Sequence, residues 1–143
     1  MLADRRGVSA IEFGVTVPII VMIILGTYDL GNLVQQRMKL SDAVRAGGQY
    51  AMSYPTSTSG IQGAITAALP TGWSGVTVGS PTMSCACWSA GGGETTASCA
   101  ADPVCSAGEV TERFVTLTAS RVYTPLLLVS FTSVSASYVA RVQ

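Results

Sequence analysis

A chain of 143 residues, 48% hydrophobic and only 11% charged, has room for one modest globular domain and is too apolar for a free monomer unless part of it sits in lipid or against partners. Eight basic and eight acidic residues cancel and form no basic stripe, so nothing recruits a phosphate backbone and no nucleic-acid partner is expected. Histidine is absent and Lys39 is the only lysine, which removes the commonest general base and transition-metal ligand; the expectation is no enzyme, no catalytic residue, no cofactor and no metal.

Residues 1–7 form a short basic leader containing Arg5 and Arg6, expected on the cytoplasmic side. Val8 to Tyr28 follows as an apolar run whose single charge is Glu12. The uncharged part from Phe13 to Tyr28 is somewhat short for a membrane span. Extension through Leu30, Leu33 and Val34, with Asp29 as the only intervening charge, reaches the roughly 20 residues that cross a hydrocarbon core. Residues 8–34 are therefore expected as a single transmembrane segment, and the leading arginines favour an N-in, C-out orientation. A cleaved signal peptide has a similar outline, but its hydrophobic region would not carry Glu12, and no small-x-small motif closes the run.

The helical pattern does not stop at the lipid. Leu30, Leu33, Val34, Arg37, Leu40, Val44, Gly47, Gly48 and Ala51 recur at spacings of three and four, while Gln35, Gln36, Lys39, Ser41 and Asp42 fall largely on the other sides. One helix is expected from about Ser9 to Met52, with residues 35–54 as its extramembrane continuation. At 1.5 Å per residue it is on the order of 65 Å long. Pro18 is expected to remove one hydrogen bond and kink it.

After a turn-rich break at 54–60, Ile61 to Leu69 reads as a short helix stopped by Pro70. Val76 and Val78 alternate with polar residues; past Pro81 the phase slips so that Met83, Cys85 and Cys87 share a face. Further alternation involves Val115, Leu117 and Ala119, and then Val134, Ala136, Tyr138, Ala140 and Val142. The expected architecture is α+β: a long N-terminal transmembrane helix, then a small exported domain over 55–143 with a short helix and three half-buried antiparallel strands packed on the outer helix. The apolar run from Thr124 to Phe131 is too short to span a bilayer. It is either a buried connection or an exposed patch facing the membrane surface or a neighbouring subunit.

Four cysteines, Cys85, Cys87, Cys99 and Cys105, cluster far from the apolar segment. Even number and clustering point to two disulfides in an oxidising compartment, which supports the C-out orientation. A four-thiolate zinc site is the less favoured alternative. Because neighbours in C-x-C bond to each other with difficulty, each is expected to pair with Cys99 or Cys105. Of the two pairings, the nested one, Cys87 with Cys99 inside Cys85 with Cys105, is the preferred expectation. The bridges would tie down the Gly- and Ser-rich stretch from Trp88 to Asp102.

Glu12 is the informative charge. A carboxylate in a membrane helix costs about 2.5 to 3.5 kcal/mol near the bilayer centre and less near the interface. One reading leaves Glu12 solvated at headgroup level, near the favourable N-terminal end of the helix dipole. The sharper reading gives it a cationic partner: cleavage after Gly7 would turn Val8 into a free α-amino terminus, positively charged at neutral pH.

Arg5-Arg6-Gly7-Val8-Ser9-Ala10-Ile11-Glu12-Phe13, followed by an apolar helix with Pro18 and by Leu30-Gly31-Asn32-Leu33, resembles the N-terminal part of TadE-like proteins, the minor pilins or pseudopilins of tight-adherence (Flp-type) pili. The similarity continues through Asp42 to Gly47 and reappears at Tyr123-Thr124-Pro125-Leu126-Leu127. What the resemblance implies is processing by a prepilin peptidase between Gly7 and Val8, Glu12 neutralising the new amine, and Phe13 as the aromatic residue typical of the tight-adherence branch. It also implies a pilin-like subunit of the bacterial inner membrane with its C-terminal domain in the periplasm. Other pilin subunits, the inner-membrane assembly machinery and the lipid bilayer would be its partners, and pilus biogenesis and surface adhesion its role. The alternative is an uncleaved single-pass accessory protein that binds pilus or secretion machinery.

Overall fold

In the computed structural model, which describes residues 6–89, 91–99, 105–106, 109–126 and 132–142, a single helix α1 runs without a break over Arg6–Ser53. Pro18 lies inside it. The expected long helix is thus present and extends a few residues further toward the N-terminus. The second helix, α2, spans Thr58–Ala68, where Ile61 to Leu69 was expected. It buries Ile61 and Ile65.

Among the described residues five antiparallel strands follow, rather than the three expected: β1 Val76–Val78, β2 Thr82–Trp88, β3 Glu94–Ala97, β4 Val110–Val122 and β5 Ser133–Val142. β4 is the axis of the sheet. β5 lines one side of it over Arg113 to Val122; on the other side β2 covers Val110 to Thr116 and β1 covers Ala119 to Arg121, with β3 outside β2. The extra strand β3 carries Glu94, Thr95 and Thr96, so it lacks the apolar alternation that marks a half-buried strand. It is held by its hairpin instead: the N–H of Ser89 donates to the carbonyl of Gly93 at 3.1 Å, and the N–H of Gly93 donates to Ser89 Oγ at 3.2 Å. The stretch after Trp88 is therefore partly a strand pair and not merely a loop restrained by disulfides.

The core lies between the sheet and the outer part of α1. Leu40, Ala43, Val44 and Ala51 of α1 meet Ile61 and Ile65 of α2, Val115, Leu117 and Ala119 of β4, Tyr123 beyond it, and Val134, Ala140 and Val142 of β5. The strand alternation read from sequence supplies these positions. The helix face needs a correction. Leu30 and Val34 are exposed, whereas Asp29 is buried, Leu33 packs on the core and Gln36 is half-buried. The inward face is Asp29, Leu33, Gln36, Leu40, Ala43, Val44, Gly47, Gly48 and Ala51, so the apolar spacing holds from Leu40 onward and fails at Leu30, Val34 and Arg37, which are exposed.

Candidate functional site

The head of α1 presents its apolar surface outward. Gly7 and Val8 lie in its first turns, and both Glu12 and Phe13 are exposed. Ile11, Phe13, Val15, Ile19, Ile20, Met22, Ile23 and Ile24 are all exposed, and the most apolar 18-residue window has a mean hydropathy of 2.1 with none of it buried by the domain. α1 is therefore long and apolar enough to cross a membrane, and it fits a single-pass protein. Its hydroxyls are compatible with lipid. Thr16 Oγ1 donates to the carbonyl of Glu12 at 2.7 Å and Thr27 Oγ1 to that of Ile23 at 2.6 Å, so neither O–H needs water.

The change from exposed apolar helix to packed helix happens at Asp29. The Tyr123 hydroxyl donates to the Asp29 backbone carbonyl at 2.9 Å and lies 3.4 Å from its Oδ1, while the N–H of Leu126 donates to Oδ1 at 3.1 Å. Burial, followed by the charge and hydrogen bond of Asp29, pushes the Tyr123 phenol above its ordinary value. Two turns farther along, Gln36 Oε1 accepts from Arg121 Nη1 at 3.0 Å; Arg121 Nε donates to the carbonyl of Ser74 at 3.2 Å, and its guanidinium lies 4.3 Å from the centroid of the Trp73 ring. The polar members of the inward stripe are thus the points at which α1 is fixed to β4 and to the segment leading into β1.

The cysteines sit at the other end of the molecule. Cys85 and Cys87 pair across the ladder with Arg113 and Thr111, and lie on the same sheet face as Val115. The bridges are Cys85–Cys99 and Cys87–Cys105, so the nested pairing is overturned in favour of the crossed one. Hairpin register is the reason. Cys85 stands opposite Ala97 and Cys87 opposite Thr95, so the chain leaving β3 brings Cys99 alongside Cys85 and already past Cys87. All four sulfurs are consumed, and Cys87, Cys105 and Glu109, although close together, offer no thiolate to a metal.

The structure therefore keeps the residues singled out from sequence in two groups: Gly7, Val8, Glu12 and Phe13 on one helix end, and the four cysteines on the distal part of the sheet. Sequence reasoning missed Asp29, Gln36, Tyr123 and Arg121, which join helix to sheet. The signal was present for Asp29, whose spacing of four to Leu33 and seven to Gln36 places all three on one face. Of the apolar run Thr124 to Phe131, residues 127–131 lie outside the described residues.

The family described as TadE-like protein matches residues 7–49, that is, most of α1, and leaves α2 and the sheet outside the match. No curated protein and no solved structure matches the chain. The similarity is thus confined to α1, and it is a likeness to a pilus-associated family over that helix alone.

Proposed function

We propose that this chain is a minor pilin or pseudopilin of a tight-adherence pilus. A prepilin peptidase cuts it between Gly7 and Val8, α1 holds it in the inner membrane with the sheet domain in the periplasm, and the helix then exchanges lipid for contacts with other pilus subunits. The observation that carries this reading is the head of α1: one unbroken helix joins Gly7, an exposed Glu12 and an exposed apolar surface to the folded domain. Asp29 begins the contacts with the domain, so the lipid-embedded part is assigned to residues 8–28, and residues 29–53 form the packed, extramembrane part.

Four residues of α-helix advance about 6 Å and return to the same face. A Val8 amine and the Glu12 carboxylate therefore occupy adjacent turns, within one subunit or toward the next, and Phe13 sits beside them. Leaving such a buried charge without its partner typically costs roughly 3 to 5 kcal/mol, which disfavours misaligned packing even where the intact pair adds little. Glu12 thus acts in register and not in chemistry.

Mass spectrometry of the chain from its native membrane tests the processing step: a mature N-terminus at Val8 is expected, and a chain retaining Gly7 supports the uncleaved accessory protein instead. Glu12→Leu is expected to leave membrane insertion intact and to abolish recovery with other pilus subunits. Undiminished recovery would overturn the assembly role.

A further inference from the structure

We propose that the helix-proximal rim of the sheet domain is a lipid-contact surface, on which Val122 and Leu126 enter the headgroup–acyl boundary of the bilayer that α1 crosses. The proposal rests on the reading of α1 as a membrane span and adds a second, independent contact with the same bilayer.

Height is fixed first. From Gly48, which touches Tyr138 of β5, back to Asp29, the helix descends about 28 Å. Tyr138 pairs with Leu117, and from Leu117 to Tyr123 the strand descends about 20 Å along the same direction. The Tyr123 side chain then closes the gap by donating to Asp29. Residues 123–126 consequently lie level with the last residues of the exposed apolar helix, where Ile24, Tyr28 and Leu30 are each about 60% exposed, and Val122 stands just above them. A tyrosine at the end of an apolar span is placed where amphipathic rings favour the interface.

Chemistry is the second observation. Outside α1, Val122 at 70% and Leu126 at 67% exposure are the most exposed large hydrophobic side chains among the described residues. No charged residue lies between Val122 and Leu126, and the neighbouring charges turn inward: Arg121 to Trp73, Ser74 and Gln36, and Asp29 to Tyr123 and Leu126. Leu126 thus carries the apolar surface of α1 onto the rim, and Val122, on the sheet face away from the helix, extends it without an exposed charge at either position. Asp29 fixes that continuity, because its carboxylate holds the N–H of Leu126 and so sets the depth of the rim. Burying such side chains in an apolar phase is favourable in proportion to the area removed from water.

The full chain, methyl-labelled at Ile, Leu and Val and reconstituted in phosphatidylcholine nanodiscs, tests the proposal by nuclear magnetic resonance. A lipid carrying a nitroxide at the fifth acyl carbon is expected to broaden Val122 and Leu126 at least threefold more than a water-soluble gadolinium chelate does, and the order is expected to reverse at Val110 and Val139. Ile19, Ile20 and Ile23 report on the span separately. If they escape the lipid probe, the membrane reading of α1 fails. If they are broadened while Val122 and Leu126 respond only to the chelate, the rim proposal alone is overturned. Protection of Val122 and Leu126 from both probes would equally overturn it, in favour of a neighbouring protein subunit.

Discussion

Gly48 faces the ring of Tyr138 so closely that a Cβ on the helix would stand inside the ring's van der Waals shell. The adjoining Gly47 meets Ile65 of α2 in the same way, so the paired glycines let α1 seat between β5 and α2 at once. Gly48→Ala is expected to destabilise the domain: overpacking costs typically 1–3 kcal/mol, more than the roughly 1 kcal/mol that alanine gains in helix propensity. Gly63→Ala in α2, where nothing lies within 4 Å of the new Cβ, is the control and is expected to stabilise by about 0.5–1 kcal/mol. Denaturant titration of both variants in the same micelles measures the difference in sign.

These contacts mark where sequence pattern ran out. α1 is legible because its apolar residues persist for many turns, and β4 over Val115 to Ala119 and β5 over Val134 to Val142 because every second side chain there is apolar. The inward face of α1 was less legible because lipid and core both select apolar residues. Leu30 and Val34 lie outside the core and imitate core positions, while Asp29 and Gln36 face inward to meet donors more than eighty residues away in sequence, which no local spacing reveals. Disulfide pairing is not legible in sequence for a related reason: it follows from the register of a hairpin whose second strand, Glu94–Ala97, has no hydrophobic signature. Glu12 is legible without tertiary context, because a charge within an apolar run is conspicuous by itself.

The crossed disulfides predict which pairs of cysteines can be removed together. Cys85→Ser with Cys99→Ser should leave Cys87–Cys105 intact and no titratable thiol, and the same holds for Cys87→Ser with Cys105→Ser. Cys87→Ser with Cys99→Ser should instead strand one partner of each bridge and yield free thiols in an Ellman assay on the purified protein. Nested pairing predicts the reverse pattern. Each clean double variant should lose roughly 2–4 kcal/mol, the range for closing loops of this size.

Tyr123→Phe removes the hydroxyl that donates to Asp29 while leaving the N–H of Leu126 in place, and the expected loss is about 0.5–1.5 kcal/mol, the net worth of one hydrogen bond. The pH dependence has a definite sign. The phenol's folded-state pKa is raised above its ordinary 10.0, so its contribution is complete below that value and is lost as the pH rises through the folded-state value. The stability difference between wild type and Tyr123→Phe should therefore stay constant from pH 7 to about pH 10 and narrow above it, as read from urea midpoints across that range.

Arg121 links three segments by directed donors: Nη1 to Gln36 on α1, Nε to the Ser74 carbonyl before β1, and the guanidinium plane against Trp73. Arg121→Lys keeps the charge but not the planar fork, so one ammonium cannot serve both acceptors and stack on the ring. We expect a loss of about 1–2 kcal/mol, of which the cation–π contact accounts for roughly 0.5–1. Trp73 supplies a local readout. In a Trp88→Phe background its emission should shift to the red in Arg121→Lys, as the ring loses its cover and gains water. If stability fell without that shift, the damage would lie at Gln36 instead, and Gln36→Ala would then reproduce the whole effect rather than part of it.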